Sequence, residues 1–258
     1  GSGEARDDLA SERFESPIRF PNLLLQTLLT MRRSDSEHGS KDDSSLDDSR
    51  LIKLFETEFE SLDAASKNDR TRLFAESLLC AKFTLDNYVL KREFTSTNGS
   101  DGAWSLRRLV KSTSEGKRNA TYVNSYGRNT EHDDDEALVS QGEIAEHEAL
   151  LLQSMLRVTY TSSRTMHWIT EILRLGPETA RSELSVRNVL RSYARTKVQE
   201  AFFAGEIEPT GFGIERIVFT YLDYLLAIDD QNQSKQPLVF GYRNSVEHFF
   251  PQHPDHQQ

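Results

Sequence analysis

The residues best suited to chemistry lie near the C-terminus, in Ser245-Val246-Glu247-His248-Phe249-Phe250-Pro251-Gln252. An imidazole titrates near neutrality, so His248 is placed to take a proton from water, with Glu247 or Gln252 orienting its second ring nitrogen. Val239-Phe240 and Val246 read as an extended entry to this histidine, with room for one short hairpin, and Pro251 stops regular structure just beyond it. By itself a Glu-His pair is more often an exposed loop than a site.

Arg187, Arg191 and Arg195 follow one another at i, i+4 spacing and therefore share one face of a helix, a row that can grip the backbone of a nucleic acid. Glu183, one turn earlier, offers the plainer reading of a solvated face with its own ion pair. A second basic stretch, Arg107, Arg108, Lys111, Lys117 and Arg118 between Trp104 and Tyr122, has the same two readings. Glu143 and His147 are also i, i+4, but no second histidine stands at helical spacing, and an acidic first turn of a helix accounts for them.

These groups need elements to hold them. Apolar residues at helical period predict helices over Pro21–Met31, Asp48–Leu62, Arg70–Arg92, Gln141–Tyr160, Arg164–Leu175, Glu178–Phe203 and Gly213–Ile228, with a break at Gly176-Pro177. Proline opens the first of these, Asp47 or Asp48 caps the second, and Trp168 anchors a helix in the core. Arg33–Asp47 and Ser112–Glu136 are nearly devoid of large apolar residues and read as long polar loops. The fold class expected is mainly α: six to eight packed helices, long polar loops and one short β-hairpin near the C-terminus.

Composition narrows the setting. Of 258 residues 36% are apolar and 28% charged, and the net charge of −10 opposes nonspecific coating of DNA or an anionic membrane, though not a local basic groove. A single cysteine, Cys80, forms no internal disulfide and fits a reducing compartment, so the expected localisation is cytoplasmic. No apolar run is long enough to span a bilayer. Gly1-Ser2-Gly3 and the acidic residues after it lack the charged and apolar regions of a signal peptide; residues 1–19 read as a cloning scar and linker, and the chain as an excised fragment.

Glu247-His248-Phe249-Phe250-Pro251-Gln252 resembles the Glu-His-(Ile/Phe)-x-Pro-Gln signature that opens the C-terminal His-Me finger (HNH-type) nuclease domain of GmrSD-type restriction endonucleases. Four more stretches are similar to that family, in the same order. They are FPNLLLQTLL (Phe20–Leu29), LLCAKFTLDNYVLKRE (Leu78–Glu93), Leu150–Leu173 and IVFTYLDYLLA (Ile217–Ala227). The resemblance implies a longer parent with an N-terminal ParB-like domain, whose Asp-Gly-Gln-Gln-Arg signature does not occur here. It implies a helical connector over 20–236 and the start of the nuclease domain over 237–258.

In such nucleases the histidine is the general base and one Mg²⁺ or Mn²⁺ stabilises the developing charge, so the resemblance makes His248 the catalytic residue of a bacterial defence-type DNA endonuclease. The metal ligands of the family lie downstream, roughly 20 residues further on by ordinary element lengths. Only ten residues follow His248, so the metal ligands are unknown, the isolated chain is expected to be inactive, and it is expected to bind no cofactor itself. The partners implied are DNA, ordinary or modified, and the remaining segments of the parent, with no membrane. The alternative is a non-catalytic helical scaffold that binds DNA or a partner.

Overall fold

The computed structural model describes residues 13–32, 46–94, 102–114, 117–126, 136–205, 207, 209–231 and 240. Among them the chain is mainly α-helical: β1 (Phe14–Glu15), α1 (Phe20–Met31), α2 (Leu51–Phe59), α3 (Ala64–Tyr88), β2 (Lys91–Glu93), β3 (Ala103–Ser105), β4 (Arg107–Ser114), β5 (Lys117–Asn124), α4 (Glu136–Thr159), α5 (His167–Ala180), α6 (Glu183–Val198) and α7 (Arg216–Gln231). Each of the seven helical segments anticipated from periodicity corresponds to one of these helices, with shifted ends.

The ends have local causes. Asp63 caps α3 by accepting from the Ser66 amide at 2.9 Å, and Ser182 caps α6 by accepting from the Ser185 amide at 3.3 Å. Asp47 accepts from the Ser49 amide ahead of α2, through a short 3₁₀ turn over Asp48–Arg50. The break at Gly176-Pro177 is present: Gly176 has φ 69° and ψ 171°, a conformation open essentially to glycine alone, and it kinks α5. Because Ser182 restarts the chain, α6 begins at Glu183 rather than Glu178. It then runs into one π-helical turn over Gln199–Phe203.

Strands replace two sequence-based expectations. The apolar period predicts a helix through Arg92, yet Val89 turns extended (φ −103°, ψ 138°) and Lys91–Glu93 form the middle strand of an antiparallel sheet ordered β1-β2-β3. Phe14 pairs with Glu93, and Lys91 with Ser105. The polar stretch from Ser112, read as a loop, instead pairs as the β4–β5 hairpin, with Arg107 opposite Asn124 and Ser114 opposite Lys117. The hairpin base is fastened from outside: Phe14 packs on Tyr122 with ring centroids 4.5 Å apart, and the Arg13 guanidinium lies over both rings. The expected linker 1–19 thus carries β1, and Ile18 behind it is buried. The hairpin expected near the C-terminus lies outside the described residues, apart from Phe240.

One hydrophobic core joins α1, α3, α4, α5, α6 and α7. Leu151, Leu152, Met155 and Leu156 of α4 and Trp168, Ile169 and Ile172 of α5 are fully enclosed, each such side chain contributing about 1.5–3 kcal/mol or more of transfer free energy. Two buried glutamines tie backbone ends across it. Gln26 of α1 donates to the Met166 carbonyl at 3.1 Å, and Gln153 of α4 bonds both the Tyr88 carbonyl (3.1 Å) and the Leu90 amide (2.9 Å). The second contact satisfies the polar groups freed where α3 gives way to β2. α2 stands apart on the N-terminal half of α3, held by Phe55 edge-on to Phe74 and by Glu58 between Arg32 and Arg70.

Candidate anion-binding cleft on helix α6

The arginine row lies on α6 as its spacing required, but its members have different surroundings. Glu148, near the buried middle of α4, faces it: Oε2 accepts from Arg187 Nη1 at 2.7 Å and Oε1 accepts from Arg191 Nη2. Tyr224 of α7 completes the group, donating its hydroxyl to Glu148 Oε1 at 2.9 Å while accepting from Arg191 Nε at 3.0 Å. Glu183 adds a looser contact to Arg187 at 3.7 Å, the i, i+4 pair legible in the sequence. Two guanidiniums, two carboxylates and a phenol from three helices thus form one largely enclosed network.

Burial sets its electrostatics. It pushes the Glu183 carboxyl above the usual range, with Arg187 opposing and Glu148 reinforcing the shift. Burial likewise pushes the Tyr224 phenol up, so it stays a neutral donor at any physiological pH. For Arg191 burial works against the charge, but Tyr224 and Glu148 outweigh it and the guanidinium stays firmly protonated. Arg187 and Arg191 are therefore committed to holding α6 against α4 and α7, and little of their charge remains for a ligand.

Arg195 is the exception. Its Nε donates to the Tyr221 hydroxyl at 3.3 Å, and no carboxylate among the described residues pairs with it. It borders an open cleft of about 650 Å³ together with Asn188, Arg191, Ser192, Gln199 and Tyr221. The lining offers the guanidiniums of Arg191 and Arg195, the hydroxyls of Ser192, Thr196 and Tyr221 and the amides of Asn188 and Gln199, with no acidic side chain. Such a donor set complements a phosphate or sulfate oxygen cluster, which accepts from every one of these groups. The π-helical turn begins at Gln199, so the extra residue per turn lies at one end of this cleft.

Of the second basic stretch, Arg107 is tied into the sheet, while the side chains of Lys117 and Arg118 lie outside the described residues. Arg107 pairs with the buried Glu93 at 3.6 Å, which also accepts from Arg13 at 2.6 Å, and Trp104 carries the Arg157 guanidinium over its ring at 5.6 Å. His248, Glu247 and Gln252 lie outside the described residues, as do the side chains of Glu143 and His147. Phe240 is half-buried against the core, so the chain is again on the helical body by that position, beyond α7. Among the described residues no three His, Cys, Asp or Glu side chains gather where they could hold a metal, and no helix is long and apolar enough to cross a membrane.

Glu148, Tyr221 and Tyr224 are not among the residues that motif or spacing singles out. The available signal was position: a carboxylate directly before the apolar run Ala149-Leu150-Leu151-Leu152 has to be enclosed with that run and so needs a cation. No protein-family model, curated protein or solved structure matches the chain.

Proposed function

We propose that this chain is the helical connector of a metal-dependent DNA endonuclease of the GmrSD type, and that the α6 cleft holds a backbone phosphate of the nucleic acid. The motif order along the chain supports the family reading. The observation that carries the binding role is Arg195: it is the member of the row that borders the cleft with no carboxylate partner among the described residues, beside the hydroxyl of Ser192 and the amides of Asn188 and Gln199. Phosphate contacts of this kind position a protein on nucleic acid without reading its sequence. With a net charge of −10, attachment is confined to the cleft rather than spread over the surface. In the parent, His248 would activate water and Mg²⁺ or Mn²⁺ would stabilise the leaving oxygen, with the connector setting the distance between grip and cut.

Two measurements test this. Binding of fluorescent duplex and single-stranded DNA, titrated against salt, should give a slope that falls by about one charge in Arg195→Ala and is largely kept in Arg195→Lys. Plasmid cleavage by the full-length parent with Mg²⁺ or Mn²⁺ should vanish in His248→Ala. DNA affinity and salt slope unchanged by Arg195→Ala would overturn the binding role; cleavage indifferent to His248→Ala would overturn the catalytic one.

A second reading, a non-catalytic scaffold, is favoured by one separate observation, the apolar outer face of α7.

A further inference from the structure

Helix α7 has apolar residues on both sides. Ile217, Tyr221, Tyr224 and Ala227 enter the core, as an amphipathic helix requires. The opposite side should be polar, yet Phe219, Leu222, Leu225 and Leu226 stand 50%, 52%, 44% and 58% exposed. At spacings of three, three and one they form a continuous stripe about two turns long. Single exposed apolar side chains are ordinary, whereas four contiguous ones on one helix mark a surface that is covered when the protein works.

Charge decides what covers it. Exposed carboxylates frame the stripe, Glu215 just ahead of the helix, Asp223 beside its centre and Asp229 at its far end, whereas Arg216, the exposed cation at the helix start, is engaged by α4 through the Val158 carbonyl at 3.1 Å. A second copy packed antiparallel about Leu222 would set Glu215 opposite Asp229 at both ends, acid on acid, and a parallel copy would set Asp223 against its equivalent. An anionic bilayer would be repelled by the same residues, because helices that lie on membranes carry lysine and arginine along their flanks. An apolar seam between acidic margins is the complement of one kind of partner.

We propose that the outer face of α7 docks an amphipathic helix of a partner protein, apolar along its seam and lysine- or arginine-rich along its flanks. Phe219, Leu222 and Leu226, at i, i+3 and i+7, are the anchor positions for such a helix-in-groove contact. Asp223 and Asp229 select its charge and speed its approach. This surface belongs to α7 and does not involve Arg195.

The test uses the full chain, a fluorescent amphipathic Leu/Lys peptide and a Leu/Glu peptide of the same apolar pattern. Wild type should bind the Leu/Lys peptide, with affinity falling as salt rises, and should bind the Leu/Glu peptide far more weakly. Leu222→Ser should weaken binding about tenfold or more, as expected for a central anchor. The pair Asp223→Lys and Asp229→Lys should invert the preference, and a lysine near the helix C-terminus keeps the fold safe by complementing its dipole. Arg195→Ala should leave peptide binding unchanged, and circular dichroism should show every variant folded. Equal binding of both peptides, binding indifferent to Leu222→Ser, or no binding by wild type would overturn the proposal. So would a self-association, or an attachment to anionic vesicles, that Leu222→Ser abolishes.

Discussion

Replacing Glu148 by alanine removes the one carboxylate that serves Arg187, Arg191 and Tyr224 together. Breaking a buried ion pair by deleting one partner typically costs about 3–5 kcal/mol, because the remaining charge is stranded away from water. Here the carboxylate side chain is 11% exposed while Arg187 and Arg191 keep 22% and 32%, so water screens part of the stranded charge. The expected loss is therefore nearer 2–4 kcal/mol, which in a chain of this size lowers the melting temperature by roughly 5–15 °C. Urea unfolding followed by far-ultraviolet circular dichroism measures it. Glu148→Gln keeps an acceptor but no charge and should fall between wild type and alanine. Combining Glu148→Ala with Arg191→Ala should cost clearly less than the sum of the two, since the second change removes the charge the first one stranded. A Glu148→Ala variant within about 0.5 kcal/mol of wild type, or strict additivity with Arg191→Ala, would show that the network does not hold α4, α6 and α7 together.

Three further outcomes follow from neighbouring features. Burial raises the Glu183 carboxyl, so in the folded state it holds its proton at higher pH than in the unfolded chain; its contribution is full in acid and is lost as pH rises through the raised value. Glu183→Gln should thus gain stability over wild type towards neutral pH and converge with it in acid, as pH-resolved thermal melts would record. Gly176→Ala forces a side chain onto φ 69°, ψ 171°, and should cost about 1–3 kcal/mol by backbone strain alone, since nothing lies near enough to clash. Gln153→Leu removes the partner of the buried Leu90 amide and should cost about 1–3 kcal/mol in the same urea assay, with the fold otherwise retained.

The helices were legible because burying one face of a helix imprints a period that segments such as α6 and α7 repeat over several turns. Their ends were legible only where the stop is local, as at Gly176-Pro177. β2 was not, because Lys91-Arg92-Glu93 are residues a helix accepts, and they become a strand through pairing with residues 14–15 and 103–105. The β4–β5 hairpin was read as loop for a similar reason: few of its residues are strongly apolar, and its anchor, Phe14 on Tyr122, comes from the other end of the domain. The α6 site divides the same way. The row of arginines follows from i, i+4 arithmetic, whereas which of them is free depends on Glu148 and Tyr224, respectively 43 and 33 residues from Arg191.

Gln153 carries a consequence for what this chain tolerates. Its amide gives a hydrogen to the Tyr88 carbonyl and takes one from the Leu90 amide, so the position needs donor and acceptor at the tip of a side chain of one length. Glutamate would face a carbonyl with another acceptor, leucine would answer neither group, and asparagine would fall short by one methylene. Although it touches no ligand, this residue has fewer workable replacements than many of the leucines packed around it, which exchange for other hydrophobics of similar volume.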